Sequence, residues 1–99
     1  MPKGYVFAEV EVTDPVLYED YRTKVPATIA AYGGRYLVRG GDPVRLEGDH
    51  PMHRFVVLEF DSPQRASDWY YSEQYGPVKA LRLKSATTHA FLLNGTEAQ

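Results

Sequence analysis

Apolar and polar positions recur along the chain with two different periods, and these periods predict its strands and helices. A period of two from Tyr5 to Val12 is typical of a β-strand. A period of about four follows and predicts a helix with one buried stripe, formed by Leu17, Tyr21, Val25 and Ile29. Asp14-Pro15 is a favourable helix start and Gly33-Gly34 a favourable end. Pro26 falls inside this helix and is expected to weaken or kink it.

The same signals predict three more strands and a second helical region. The strands are Arg35–Arg39, His53–Phe60 and Thr87–Leu93. The glycine- and proline-rich stretch 40–52 predicts a long hairpin loop between the second and third strands. Within this loop, residues 44–46 are a candidate edge strand. The helical region begins at Ser62-Pro63, restarts at Ser72 after an interruption, is broken at Gly76-Pro77 and ends near residue 85.

The resulting order, β-α-β-β-α-β, predicts an α+β fold of the ferredoxin-like type. In this arrangement a four-stranded antiparallel sheet, in the order 4-1-3-2, carries its helices on one face. A chain of 99 residues has room for one such domain, so we assign residues 1–99 to it and expect residues 95–99 to fray.

Composition narrows the class of protein further. Hydrophobic residues at 43% and charged residues at 24% exclude a disordered chain. A formal net charge of −2 argues against a nucleic-acid partner, and the chain has no run of about 20 apolar residues for a membrane span. Without cysteine it has neither disulfides nor zinc–thiolate sites. With no recognisable secretory leader, we expect a cytoplasmic protein.

The strands predict an unusual second face for the sheet. Each strand has two alternating sets of residues, and the more apolar set should face the helices. Together these sets comprise Val6, Ala8, Val10, Tyr36, Val38, Val56, Leu58, Phe60, Ala90 and Leu92. The opposite set still holds six large apolar residues, namely Phe7, Leu37, Phe55, Val57, Phe91 and Leu93. A patch of this size is rarely exposed on a soluble monomer. We therefore predict a homodimer in which two copies of the sheet pack face to face.

Four polar residues on this second face form the candidate ligand-binding site: Glu9, Arg39, Glu59 and His89. Two carboxylates near a histidine and an arginine in an apolar cavity could bind a small polar molecule or exchange a proton with it. Alternatively, the charges only fix strand register and dimer geometry, for example through an ion pair of Glu59 with Arg35 or Arg39. The residues leave both interpretations open.

Two other groups are weaker candidates. His50-x-x-His53 beside Asp49 has loose metal-ligand spacing, but Pro51 prevents a helical pair, so we interpret the segment as a solvated loop and predict no metal site. Six aromatic residues could line a ligand cleft between the helices and the sheet edge, although packing is the more usual role. They are Tyr18, Tyr21, Tyr32, Trp69, Tyr70 and Tyr75.

Several motifs occur in the order found in a known family. They include Thr13-Asp14-Pro15, Tyr18-x-x-Tyr21, the run from Tyr32 to Gly41 (YGGRYLVRGG), Leu46–Asp49, Val57–Ser62 and Trp69-Tyr70-x-Ser72-x-x-Tyr75. Over residues 4–95 the chain resembles domain of unknown function family 1330, in the dimeric α/β-barrel superfamily. The resemblance implies a ferredoxin-like subunit whose sheet packs on its twin to close a barrel. It implies no reaction, because the family has no assigned chemistry.

The functional expectation is a homodimer that binds a small organic molecule between its two sheets. Arg39 would hold an anionic or carbonyl oxygen, and a carboxylate or His89 would move a proton. No organic cofactor is indicated, so any chemistry would be cofactor-free acid–base chemistry, and whether the protein is an enzyme stays open. The alternative is a non-catalytic dimeric module, stress-related or structural, whose buried charges only specify pairing.

Overall fold

The computed structural model describes residues 2–40 and 42–96 of the chain. The strands are β1 (Gly4–Val12), β2 (Arg35–Gly40), β3 (Arg54–Phe60) and β4 (Ala86–Asn94). The helices are α1 (Pro15–Ala31), α2 (Pro63–Tyr70) and α3 (Tyr75–Ser85). The sheet order is β2-β3-β1-β4 with antiparallel neighbours, which confirms the predicted topology.

The starts of the first two helices follow the sequence signals. Asp14 Oδ1 accepts a hydrogen bond from the Leu17 N–H at 3.1 Å, and Ser62 Oγ accepts one from the Arg65 N–H at 3.1 Å. Each cap pairs a backbone donor that the first helical turn leaves free. The first helix runs without interruption through Pro26, since it is assigned as one element from Pro15 to Ala31.

The second helical region is interrupted around Ser72, as predicted, but not at Gly76-Pro77. The interruption lies at residues 71–74, where Ser72 Oγ accepts a hydrogen bond from the Tyr75 N–H at 3.0 Å. Gly76-Pro77, predicted as a break, lies in the first turn of α3. A proline is tolerated there because its missing N–H would have no partner within the helix.

The core lies between the sheet and the helices. Its sheet side includes Val6, Val10, Leu58 and Phe60, and its helix side includes Tyr18, Tyr21, Val25, Ile29, Ala66, Trp69 and Tyr75. Val6 and Val10 are buried against the helices, so the predicted parity of the first strand is confirmed. Trp69 stacks on Tyr75 with ring centroids 4.1 Å apart.

A β-bulge in β2 changes which side chains this strand presents to each face. Arg35 pairs with Glu59 and Tyr36 with Leu58, but the register then shifts so that Val38 pairs with Val57 and Arg39 with Val56. The extra residue, Leu37, reverses the alternation beyond it. Val38 therefore lies on the face away from the helices and Arg39 on the helix side, opposite to the predicted assignment of both residues.

The segment between β2 and β3 has no strand in its described part, residues 42–53. Val44 and Leu46, the proposed edge strand, are 81% and 96% exposed, so that prediction is wrong. At the other end of the chain, the Gly95 N–H donates to the Lys3 carbonyl at 2.8 Å. Residues 97–99 of the predicted frayed tail lie outside the described residues. Among the helices described, none is long and apolar enough to cross a membrane.

Candidate functional site

The face of the sheet away from the helices, called the open face here, presents an apolar centre. The β1–β3 and β1–β4 registers place Phe7 between Val57 and Phe91, and the Phe7 and Phe55 rings lie 5.8 Å apart. Phe91 and Leu93 on the edge strand are 57% and 49% exposed. Polar clusters flank this centre at both ends, about 13 Å apart along β1.

Glu59 forms the first polar cluster with residues of two neighbouring strands. Its Oε2 accepts a hydrogen bond from the Tyr5 hydroxyl at 2.9 Å, and its Oε1 lies 2.6 Å from Arg35 Nη2. The Tyr5 hydrogen bond, opposed by burial and reinforced by Arg35, holds the pKa of the Glu59 carboxyl below its usual value. The same bond raises the pKa of Tyr5. The ion pair of Glu59 with Arg35, one of the two predicted pairings, is thus observed.

Glu9 forms the second polar cluster with the histidines of the loop that precedes β3. Its Oε2 lies 2.7 Å from His50 Nε2 and 3.0 Å from His53 Nδ1. The hydrogen bond from His50, opposed by burial and reinforced by His53, lowers the pKa of the Glu9 carboxyl. The segment is an exposed loop, as predicted, but its residues His50 and His53 also contact the sheet through Glu9. Extending the β1–β3 register by one residue places His53 opposite Glu11.

The four residues proposed as one site do not come together. Glu59 and Glu9 stand at opposite ends of the open face, each within its own cluster. His89 lies directly across from Glu9 in the β1–β4 register and is exposed. Arg39 is on the other side of the sheet, where its Nη2 donates to the Arg22 carbonyl of α1 at 3.2 Å and its guanidinium lies 4.6 Å from the Tyr36 ring centroid.

Arg39 instead lines a cavity of about 50 Å³ between the sheet and the helices, called the inner cavity here. Its aromatic walls are Tyr18, Tyr21, Tyr36, Trp69, Tyr70 and Tyr75, and its cationic walls are Arg22, Arg39, Arg54 and Arg82. Five of these six aromatic residues, all except Tyr36, were predicted from the sequence as a possible lining of a ligand cleft. Within the described residues, no Asp, Glu or His lines the inner cavity.

Two buried polar atoms, on residues that line this cavity, lack hydrogen-bond partners in the described part of the chain. They are Arg22 Nε on α1 and Thr88 Oγ1 on β4, and both residues line the inner cavity. A buried donor or hydroxyl without a partner costs about 1–3 kcal/mol. Proteins pair most such groups, so two unpaired atoms on residues of one cavity require a physical explanation.

A chain of hydrogen bonds orders the tyrosines at the wall of the inner cavity. The Tyr21 and Tyr75 hydroxyls lie 2.9 Å apart, and Arg82 Nε donates to the Tyr75 hydroxyl at 3.4 Å. Burial raises the pKa of Tyr21 well above its usual value. Tyr21 therefore keeps its proton at neutral pH, and the wall presents protonated hydroxyls and a guanidinium rather than a general base.

A second space, called the edge groove here, adjoins the inner cavity at the β4 edge of the sheet. It measures about 250 Å³ and shares Val6, Tyr70 and Ala90 with the inner cavity. Its remaining lining residues are Ala66, Ser67, Tyr71, Phe91 and Leu92. None of the described residues that line the edge groove is charged, whereas four arginines stand among the mostly apolar and aromatic residues of the inner cavity.

Sequence reasoning missed Arg22, Arg54, Arg82 and Thr88 as cavity residues. Arginines on helices usually extend into solvent, yet Arg82 is 6% exposed. The spacing of Tyr75 and Arg82 carried a usable signal, because residues seven apart on a helix share a face. Among the residues described, no group of three or more His, Asp and Glu is arranged to hold a metal ion.

Comparison with solved structures identifies the same fold in proteins of low sequence identity. A protein of unknown function from Rhodopseudomonas palustris superposes with a TM-score of 0.76 at 14% identity, over 98% of this chain and 85% of that one. A dimeric ferredoxin-like protein of unknown function from Jannaschia sp. CCS1 gives 0.68 at 10% identity, over 92% and 97%. SnoaB, a cofactor-independent oxygenase from Streptomyces nogalater, gives 0.62 at 12% identity, over 99% and 97%.

At these identities the structural likeness establishes the fold alone. None of the curated proteins matches the chain at a significant level. The family model described as Domain of unknown function (DUF1330) matches residues 3–96. The motifs of the YGGRYLVRGG run and the ferredoxin-like sheet agree with that match, and the chain belongs to the DUF1330 family.

Proposed function

We propose that the protein is a homodimer whose subunits each bind a small organic molecule between the sheet and the helices. The observation that carries the binding proposal is the pair of unpartnered buried atoms, Arg22 Nε and Thr88 Oγ1, at the wall of one cavity. The site differs from the inter-sheet site predicted from the sequence, because Arg39 lies on the helix side.

The homodimer part of the proposal rests on the open face. Phe7, Val57 and Phe91 form a continuous apolar row across three strands, and a second copy of the sheet would cover it. The structural neighbour from Jannaschia is described as dimeric, which supports the same arrangement. The two polar clusters would then lie at the ends of the interface, where paired charges give specificity of pairing.

Binding is better supported than catalysis. The described lining of the inner cavity contains no carboxylate or imidazole that could remove a proton from a substrate. Its guanidinium and tyrosine groups can hold and polarise an oxygen atom. SnoaB acts without a cofactor, and cofactor-free oxygen chemistry on a substrate that ionises readily is the catalytic role that this lining could serve.

A purely structural dimer is the second candidate, favoured by the Tyr5–Glu59–Arg35 cluster. These side chains satisfy one another within a single subunit, as charges that only fix register would do. The two candidates differ in one respect. A structural dimer has no use for the unpartnered atoms of the inner cavity.

Ligand titration followed by the fluorescence of Trp69 tests the proposed function. Trp69 is the one tryptophan of the sequence, and it lines the inner cavity, so its emission should respond to a bound molecule. The probes are small aromatic acids, amides and amines, each also scored by the rise in melting temperature. We expect at least one probe to saturate the emission change.

A matched pair of variants locates the binding. Ala90→Leu narrows the junction of the inner cavity and the edge groove, whereas Ala27→Leu makes the same change on the exposed side of α1. Ala90→Leu should weaken binding by about tenfold or more, ~1.4 kcal/mol, and Ala27→Leu should leave it unchanged. Equal binding by the two variants, or no response to any probe, would overturn the proposal.

A further inference from the structure

All the charged side chains among the described residues that line the inner cavity are arginines, set among apolar and aromatic residues. Arginine carries five N–H donors and no acceptor, and four arginines line this small space. Within the described residues, no carboxylate forms a salt bridge with Arg39, Arg54 or Arg82, while Arg22 pairs through Nη1 with the exposed Glu19. The uncompensated charge favours an anionic guest.

The sheet register fixes where such an anion would sit. Arg54 and Thr88 are the partners of Val10 on its two sides, so they lie about 10 Å apart across the sheet on the helix side. Arg39 and Ala90 occupy the neighbouring row, with Val56 and Ala8 between them. A group that passes Ala90 reaches Thr88 first and then the guanidinium groups beyond it.

The two volumes set the shape of the guest. A space of about 50 Å³ admits a polar head of a few atoms but not a whole organic molecule. The edge groove of about 250 Å³, which shares Ala90 and Tyr70 with the inner cavity, offers apolar walls to the rest of the molecule. A flat carboxylate fits the smaller space, and guanidinium groups bind carboxylates through paired hydrogen bonds.

We propose that the site takes an organic acid, with its carboxylate in the inner cavity near Thr88 and the arginines and its apolar body in the edge groove. This inference rests on the proposed function and adds the chemical class and orientation of the ligand. Trp69 and Tyr70 would contact the guest where the head and the body meet, because both line the inner cavity and Tyr70 also lines the edge groove.

Matched probes separate the contributions of charge and body. 3-Phenylpropanoate and 3-phenylpropanamide have the same shape and differ in charge, so the acid should bind at least about tenfold more tightly. Propanoate, which lacks the ring, should bind more weakly than 3-phenylpropanoate because it leaves the edge groove empty. Inorganic phosphate should not displace the phenyl acid, since it lacks the apolar body.

Variants test whether the preference for the acid over the amide arises from the arginines of the inner cavity. Arg22→Met removes the unpartnered Nε and should reduce the preference for acid over amide to near unity, whereas Arg45→Met in the exposed loop should not change it. Circular dichroism and the melting temperature report whether each variant is folded, and Arg22→Lys, which restores charge without Nε, should recover only part of the preference.

The outcomes distinguish the two proposals. If the acid and amide bind equally and Ala90→Leu weakens both, the organic-acid inference is wrong while the binding site stands. If phosphate displaces 3-phenylpropanoate at equal concentration, an inorganic anion site replaces the organic-acid site. If neither the phenyl probes nor any other probe binds, both proposals are overturned.

Discussion

On the open face of the sheet, Glu59 and Glu9 each accept hydrogen bonds from two neighbouring side chains, and each carboxylate is less than one-fifth exposed. On the helix side, the buried Arg82 contacts the Tyr75 hydroxyl and Arg22 Nε contacts no acceptor in the described residues. One face thus satisfies its charges within the subunit, and the other leaves part of its hydrogen-bonding capacity unused.

Under the proposed function, this difference separates groups that hold the structure from groups that would contact a ligand. Glu9 and Glu59 already have cationic or hydrogen-bonding partners within the subunit, so neither carboxylate is buried without compensation. An arginine held in an aromatic cavity without a carboxylate costs free energy in the empty protein. That cost is consistent with function, since functional groups are often retained at the expense of stability.

The largest expected effect is on the proposed dimer, and it tests the apolar centre of the open face. Phe7→Glu places a charge at the centre of the open face and should weaken association by more than about a hundredfold, ~2.7 kcal/mol. Size-exclusion chromatography with light scattering over a range of concentrations measures the change. Leu46→Glu, at a position that is 96% exposed, should leave the dimer intact.

A second variant on the open face separates loss of pairing from loss of folding. Leu93→Glu changes the same face at the edge strand, where the side chain is half exposed, and should also favour the monomer without loss of secondary structure. A wild-type protein that stays monomeric at tens of micromolar, or a Phe7→Glu variant that still dimerises, would contradict the proposed pairing.

The second effect is a gain in stability on removing a cavity charge. Arg82→Met replaces a buried guanidinium by an apolar chain of similar length, and Tyr75 keeps its hydrogen bond with Tyr21. We expect the free energy of unfolding to rise by about 1–2 kcal/mol, because the desolvation cost of the charge is removed. Urea denaturation measures it, and binding of 3-phenylpropanoate should weaken at the same time.

The matched change on the open face should alter the free energy of unfolding in the opposite direction. Arg35→Met removes the partner of Glu59 and should lower the free energy of unfolding slightly, because the pair is partly exposed. If Arg82→Met were as destabilising as the loss of a core aromatic, the buried arginine would be a structural element, and the contrast between the two faces would fail.

The fold could be predicted from the sequence because its signals are local and mutually consistent. The alternation from Tyr5 to Val12, the caps Asp14 and Ser62, and the β-α-β-β-α-β order each specify their own element without reference to the rest of the chain. Alternation also placed Phe7 and Glu59 on the open face, because neither strand contains a register shift there.

The candidate site could be predicted only in part, and two residues show why. Arg39 was assigned to the wrong face because a one-residue bulge at Leu37 reverses the alternation, and nothing in the run Arg35–Gly40 marks it. His50 was missed as a partner of Glu9 because the two residues are 41 positions apart and meet only when the loop folds back on β1. Long-range contacts of this kind depend on the tertiary structure.

The smallest effect concerns acid stability and tests the paired charges. Folding lowers the pKa values of both Glu9 and Glu59, so the unfolded chain takes up protons before the native protein does. The stability that each carboxylate contributes is complete above the ordinary pKa of 4.5 and is lost as the pH falls through the lowered native value. The melting temperature should therefore fall between about pH 5 and pH 3.

Removing one carboxylate should make that decline shallower. Glu9→Gln keeps the shape of the side chain, but without the titrating group the melting temperature should depend less on pH over this interval, and Glu59→Gln should act in the same direction. Glu47→Gln in the exposed loop is the control and should leave the slope unchanged. Identical slopes for all three variants and the wild type would show that the open-face clusters contribute nothing to stability. The paired carboxylates would then not differ in effect from ordinary surface charges.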